Sequence, residues 1–93
     1  MWTVVQHGKL GRRLRRLPPQ VLARYAQWVS VVRNSGPEAL RLLPGLRDEA
    51  SSGEWEGHRS SRLDLQYRVI YRVEREEVQV RVVDVNAHDY RRR

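Results

Sequence analysis

Gly53–Tyr90 reads GEWEGHRSSRLDLQYRVIYRVEREEVQVRVVDVNAHDY, and its period of two decides the fold. Arg59, Ser61, Leu63 and Leu65 fall on one face of a strand, with Ser60, Arg62 and Asp64 on the other. Val69, Tyr71 and Val73 then point one way while Arg68, Ile70 and Arg72 point the other. A charged turn covers Glu74 to Glu77, after which Val78, Val80 and Val82 alternate with Gln79, Arg81 and Val83. Consecutive strands joined by short turns pair antiparallel, so the segment predicts a three-stranded antiparallel sheet.

Towards the N-terminus the period changes to 3.6. Leu10, Leu14 and Leu17 recur at i, i+4 and i+7 among Arg12, Arg13, Arg15 and Arg16, the pattern of a short amphipathic helix with a basic outer face. Pro18 and Pro19 interrupt it and open a second helix, since proline is tolerated in a first helical turn. That helix carries Val21, Leu22, Tyr25, Trp28, Val29 and Val32 on one face. Gly36, within Ser35-Gly36-Pro37, ends it. Glu38 to Leu43 is expected to add one further turn, and Pro44 to Gly53 a polar loop containing Asp48 and Glu49. Ahead of the helices, Trp2 to Gln6 is rich in β-formers and fits a short opening strand. The class is therefore α+β: an N-terminal strand and two helices packed on an antiparallel sheet completed by three C-terminal strands.

Composition limits the function. At 93 residues the chain is expected to be one domain, residues 1–93, with a single modest core. The formal charge is +7 and the pI about 11.0, and Lys9 is the only lysine, so the excess is arginine. Arginine's planar fork suits phosphates and carboxylates, which points to nucleic acid or an acidic protein as partner. The chain has no cysteine, which excludes disulfides and thiolate metal sites. No apolar run approaches the ~20 residues of a membrane span and the N-terminus has no signal pattern, so a cytoplasmic protein is expected. His7, His58 and His88 show no ligand spacing, and no phosphate-cradling glycine loop or nucleophile elbow is present. No cofactor or metal is expected, and a nuclease of this kind would act on RNA, whose own 2′-hydroxyl can attack the neighbouring phosphate.

The candidate chemistry lies around the first hairpin of the sheet and at its end. With a three-residue connection, Leu65 to Tyr67, Arg62 and Arg68 share a face; with two residues they separate. Two arginines converging there could grip a phosphate and stabilise the extra charge of a pentavalent transition state; a solvated sheet face is the plainer reading. His88 follows the last strand, and an imidazole can move a proton to or from a ribose oxygen. Tyr90 could stack on a base or orient a phosphate.

These residues resemble the RelE/ParE superfamily of toxin–antitoxin toxins. Gly53, Trp55 and Gly57 form a G-x-W-x-G similar to the YafQ-type approach to the sheet. Tyr67-Arg68-Val69-Ile70-Tyr71 resembles the Y-R-x-x-Y segment of RelE and HigB members, and His88 with Tyr90 resembles the C-terminal end of YoeB and YafQ. The resemblance spans the order strand, two helices, three strands. It implies a RelE-like fold and a ribosome-dependent, metal-independent endoribonuclease that cuts mRNA in the decoding site by 2′-hydroxyl attack. Arg68 would stabilise the phosphate, with Arg62 beside it, His88 as general acid or base and Tyr90 in support. Arg59, Arg12, Arg13 and Arg16 would hold RNA by sequence-independent contacts. RelE itself has lysines where this chain has arginine, and YafQ-type toxins a histidine in place of Arg62, which leaves the division between acid and base open. The implied partners are a cognate antitoxin, in a hetero-oligomeric complex, and the ribosome. Two other functions fit the same residues: a ParE-like gyrase inhibitor or inactive homologue, and a basic nucleic-acid-binding module without catalysis.

Overall fold

A computed structural model describes residues 1–87. The elements run β1 (Thr3–Gln6), α1 (Leu10–Arg15), α2 (Pro19–Ser35), β2 (Glu49–Ala50), β3 (Arg59–Arg62), β4 (Tyr67–Glu74) and β5 (Gln79–Ala87). Short 3₁₀ turns at Pro37–Leu42, Pro44–Leu46, Gly53–Trp55 and Arg75–Glu77 connect them. The five strands form one sheet in the order β1-β5-β4-β3-β2. The α+β class and the order of elements match the sequence reading, and the sheet is mixed: β1 pairs in parallel with β5, while the other neighbours are antiparallel. A two-residue strand, β2, occupies the segment expected to be a polar loop, because Glu49 and Ala50 pair with Ser60 and Arg59.

One face of the sheet is covered. Val21, Tyr25, Trp28 and Val32 of α2 and Leu10, Leu14 and Leu17 around α1 pack with Val69, Tyr71, Val80, Val82 and Val85 into one buried cluster. The i, i+4, i+7 and i+11 positions of α2 supply its stripe; Leu22, expected on it, is 41% exposed. Trp28 stacks on Tyr25 at 6.0 Å and meets the edge of Tyr71 at 5.2 Å. Gly36 ends α2 at φ 86°, and any Cβ there would lie 3.0 Å from the Trp2 indole, so both backbone and packing require glycine.

Two details of register position everything on the other face. The β3–β4 hairpin pairs Arg62 with Arg68 and Ser60 with Ile70. Its tip is Asp64 to Gln66, one residue earlier than expected, because the Asp64 carboxylate accepts from Gln66 N–H at 2.8 Å and Tyr67 N–H at 2.7 Å and so closes the turn. Leu65, placed by alternation on the strand, is 76% exposed at that tip. In β5 the register shifts, with Ile70 opposite Asp84 and Tyr71 opposite Val82. Val83 is thus an extra, bulged residue, and the core position after Val82 becomes Val85.

The turn into β5 holds Val78 at φ 51°, a left-handed conformation that a β-branched side chain adopts at a cost. Val78→Gly is expected to raise stability by about 0.5–1 kcal/mol, the relief of strain less the entropy glycine adds to the unfolded chain. A higher urea midpoint at unchanged slope would register it.

Candidate nucleic-acid interface

Residues directly opposite each other in a ladder share a face. On the sheet face away from α2 this alignment sets Arg62 beside Arg68, with Asn86 next to Arg68 on β5, and Ser60, Ile70 and Asp84 in the row above. The three-residue hairpin tip thus sets the two candidate arginines opposite each other in the ladder, as the longer of the two expected connections required, and Arg62 also lines a cleft with Arg24, Gln27 and Trp28 of α2. Arg68 Nε donates to Asn86 Oδ1 at 3.4 Å. Among the described residues no ion pair is formed by Arg68, which is half-buried.

The far end of the same face is electrostatically closed. Glu74 accepts from Arg72 Nη2 at 2.8 Å, from Arg81 Nε at 3.2 Å and from Gln79. Arg72 first, then Gln79 and Arg81, hold its carboxyl down at about 2, so it stays ionised and neutralises the arginines around it.

Arg59 is not with them. It alternates to the core face, where its Nε donates to Asp48 Oδ1 at 2.8 Å. The other carboxylate oxygen of Asp48 accepts from Ser61 Oγ at 2.6 Å and from the Tyr71 hydroxyl at 2.5 Å, and Ser61 Oγ in turn accepts from Trp28 Nε1 at 3.0 Å. Burial, then the neighbouring Asp48, push the Tyr71 hydroxyl well above its ordinary range. Asp48, whose side chain is fully buried, is therefore the polar centre that joins the 44–50 segment to the sheet and α2.

Arg12, Arg13 and Arg16 are exposed on or just after α1. β1 ends opposite Val82, His7 N–H giving the last bond to that strand at 2.9 Å. α1 packs against β5, and Arg13 reaches over to an ion pair with Asp84. His88 and Tyr90 lie outside the described residues. β5 is followed to Ala87, which pairs with Tyr67, the residue before Arg68.

The whole chain has close counterparts among solved structures. A toxin–antitoxin complex, RelBE2 from Mycobacterium tuberculosis, contains a chain 27% identical to this one, superposing with a TM-score of 0.68 over 94% of this chain and 98% of that one. The chain has the RelE/ParE-like type II toxin fold. The archaeal RelE–RelB complex from Pyrococcus horikoshii OT3 matches at 17% identity and TM-score 0.68, over 96% and 97% of the two chains. A metal-bound toxin from Helicobacter pylori matches at 18% and 0.74, over 95% and 96%. No protein-family model and no curated protein sequence matches. The RelE/ParE likeness thus covers the covered core face and the open arginine face together, and among the described residues no helix is long and apolar enough to cross a membrane.

Two features of the interface escaped the sequence reading. Asp48 read as an ordinary loop acid, since nothing local links it to Arg59 or Tyr71. Trp55, noted only as part of G-x-W-x-G, sets its ring 5.5 Å from His58 and shares a cleft with Val83 and Asp84 of β5.

Proposed function

We propose that this chain is the toxin of a type II toxin–antitoxin pair and that it cleaves mRNA in the ribosomal decoding site. The observation that carries the reading is the Arg62–Arg68 cross-strand pair, aligned on the sheet face away from α2 with Asn86 beside Arg68. A scissile phosphate between the two guanidiniums gains charge as the adjacent ribose 2′-hydroxyl attacks phosphorus. Fixed donors at that point stabilise the phosphorane more than the diester. The P–O5′ bond breaks, leaving a cyclic phosphate and a 5′-hydroxyl. One proton leaves the 2′-oxygen and one reaches the 5′-oxygen; His88, the residue after Ala87 in the sequence, is assigned to one of these transfers and Tyr90 to its support. Arg12 and Arg16 on the exposed side of α1 contact ribosomal RNA, and Arg59 serves through the Asp48 network instead of directly. The antitoxin partnership follows from the M. tuberculosis and P. horikoshii counterparts, both solved as complexes; an acidic antitoxin segment suits the +7 charge.

The test is cleavage of a defined mRNA on programmed ribosomes, with new 5′ ends mapped. Ribosome-dependent cuts in the decoding-site codon that weaken in His88→Ala are expected. A folded, growth-inhibitory protein that makes no cuts would move the target to gyrase or elsewhere.

A further inference from the structure

We infer that the cleft around Trp55 is a base-stacking subsite for single-stranded RNA, adjoining the Arg62–Arg68 pair. The inference rests on the RNA-cleaving reading and adds a residue that reading does not use. The loop between β2 and β3 turns at Gly53, whose φ is 68°, and carries Trp55 to Val83 and Asp84 of β5. Trp55 N–H bonds Ser52 O, and His58 N–H bonds Trp55 O at 3.0 Å, so the ring's anchor is fixed at both ends. The His58 ring stands edge-on to the indole at an interplanar angle of 74°. Trp55 lines a cleft of about 230 Å³ together with His7, Lys9, Leu10, Arg13, Val83 and Asp84.

Each wall fits a nucleotide. Trp55 is only partly buried and lies outside the core cluster, so part of its ring surface is left to meet a ligand. Lys9, His7 and Arg13 bring positive or titratable groups to the rim. Asp84, the carboxylate of the cleft, is neutralised by Arg13 and also accepts from Asn86 Nδ2 at 2.8 Å. The bulge at Val83 opens the sheet there, as bulges beside functional sites do. Distance links the cleft to the arginines: Asp84 is paired with Ile70, two residues from Arg68, and so about 7 Å along the strand. An RNA strand whose phosphate lies between Arg62 and Arg68 therefore presents a neighbouring base to Trp55. Stacking reads no sequence, because every base has a π-face.

The full-length chain would be titrated with a single-stranded RNA hexamer carrying 2-aminopurine at successive positions. Wild type is expected to quench the probe at one position. Trp55→Ala should abolish that quench and weaken binding about ten-fold with the salt slope unchanged, while Trp55→Phe keeps most of both. Lys9→Ala should instead lower the salt slope by about one. Equal affinity and quench in wild type and Trp55→Ala, or no binding by wild type, would overturn the subsite. The same proteins on programmed ribosomes separate the two claims: cleavage by wild type without a Trp55 effect on RNA binding leaves the nuclease standing and removes the subsite. Stacking without cleavage does the reverse.

Discussion

Arg68→Ala is expected to lower ribosome-dependent cleavage by roughly 10²–10³-fold, the loss typical when one preorganised donor to a developing oxyanion is removed. The fold should barely register the change. Arg68 makes a 3.4 Å bond to Asn86 on the face away from the core, an interaction at the weak end of hydrogen-bond geometry and worth less than ~1 kcal/mol. Arg68→Lys tests the chemistry more closely. A lysine keeps the charge and loses the planar fork, so part of the activity should return if charge alone is needed and little if two fixed donors are. Arg62→Ala should fall short of Arg68→Ala by itself. The double variant should cost less than the product of the two, since both act on one phosphate. Unchanged cleavage in Arg68→Ala would remove the cross-strand arginine pair from the mechanism.

The strands of 59–87 were legible in the sequence because alternation in a half-buried sheet exposes one parity and buries the other. Val69, Tyr71, Val80 and Val82 are all fully buried as that rule requires. Convergence of Arg62 and Arg68 was legible only as a condition on loop length, and the deciding contact is local: Asp64 capping Gln66 and Tyr67. The bulge at Val83 was hidden, since valines at 82, 83 and 85 offer two acceptable registers and only the pairing with β4 selects one. The parallel docking of β1 on β5 was equally hidden, because a strand at one terminus carries no local mark of its partner. Arg59 shows the limit most clearly. Strand alternation already set it with Ser61 and Leu63, opposite Arg62, but nothing local showed that a carboxylate eleven positions earlier pairs with it there.

That carboxylate carries the second large effect. Asp48→Ala is expected to destabilise the fold by about 3–5 kcal/mol, the usual cost of removing one member of a buried charged network, out of a total that for small domains is commonly about 5–15 kcal/mol. The reason is what remains. Arg59, partly exposed, keeps a guanidinium with no anion, and the fully buried Ser61 and Tyr71 keep hydroxyls with no acceptor. For a chain of this size the melting temperature should drop by about 15 °C or more, and any loss of activity should follow the loss of folded protein. Tyr71→Phe removes one bond and leaves Asp48 with Arg59 and Ser61, so about 1–2 kcal/mol is expected. Its pH profile carries the sign. The folded state holds the Tyr71 proton more tightly than the unfolded chain does, so its stabilisation is intact below the ordinary tyrosine range near pH 10 and is lost as pH rises beyond it. Wild type should therefore lose stability above about pH 10 more steeply than Tyr71→Phe. Parallel alkaline profiles for the two proteins would show that the Tyr71–Asp48 bond does not form, and the network would then have to be held by Arg59 and Ser61 alone.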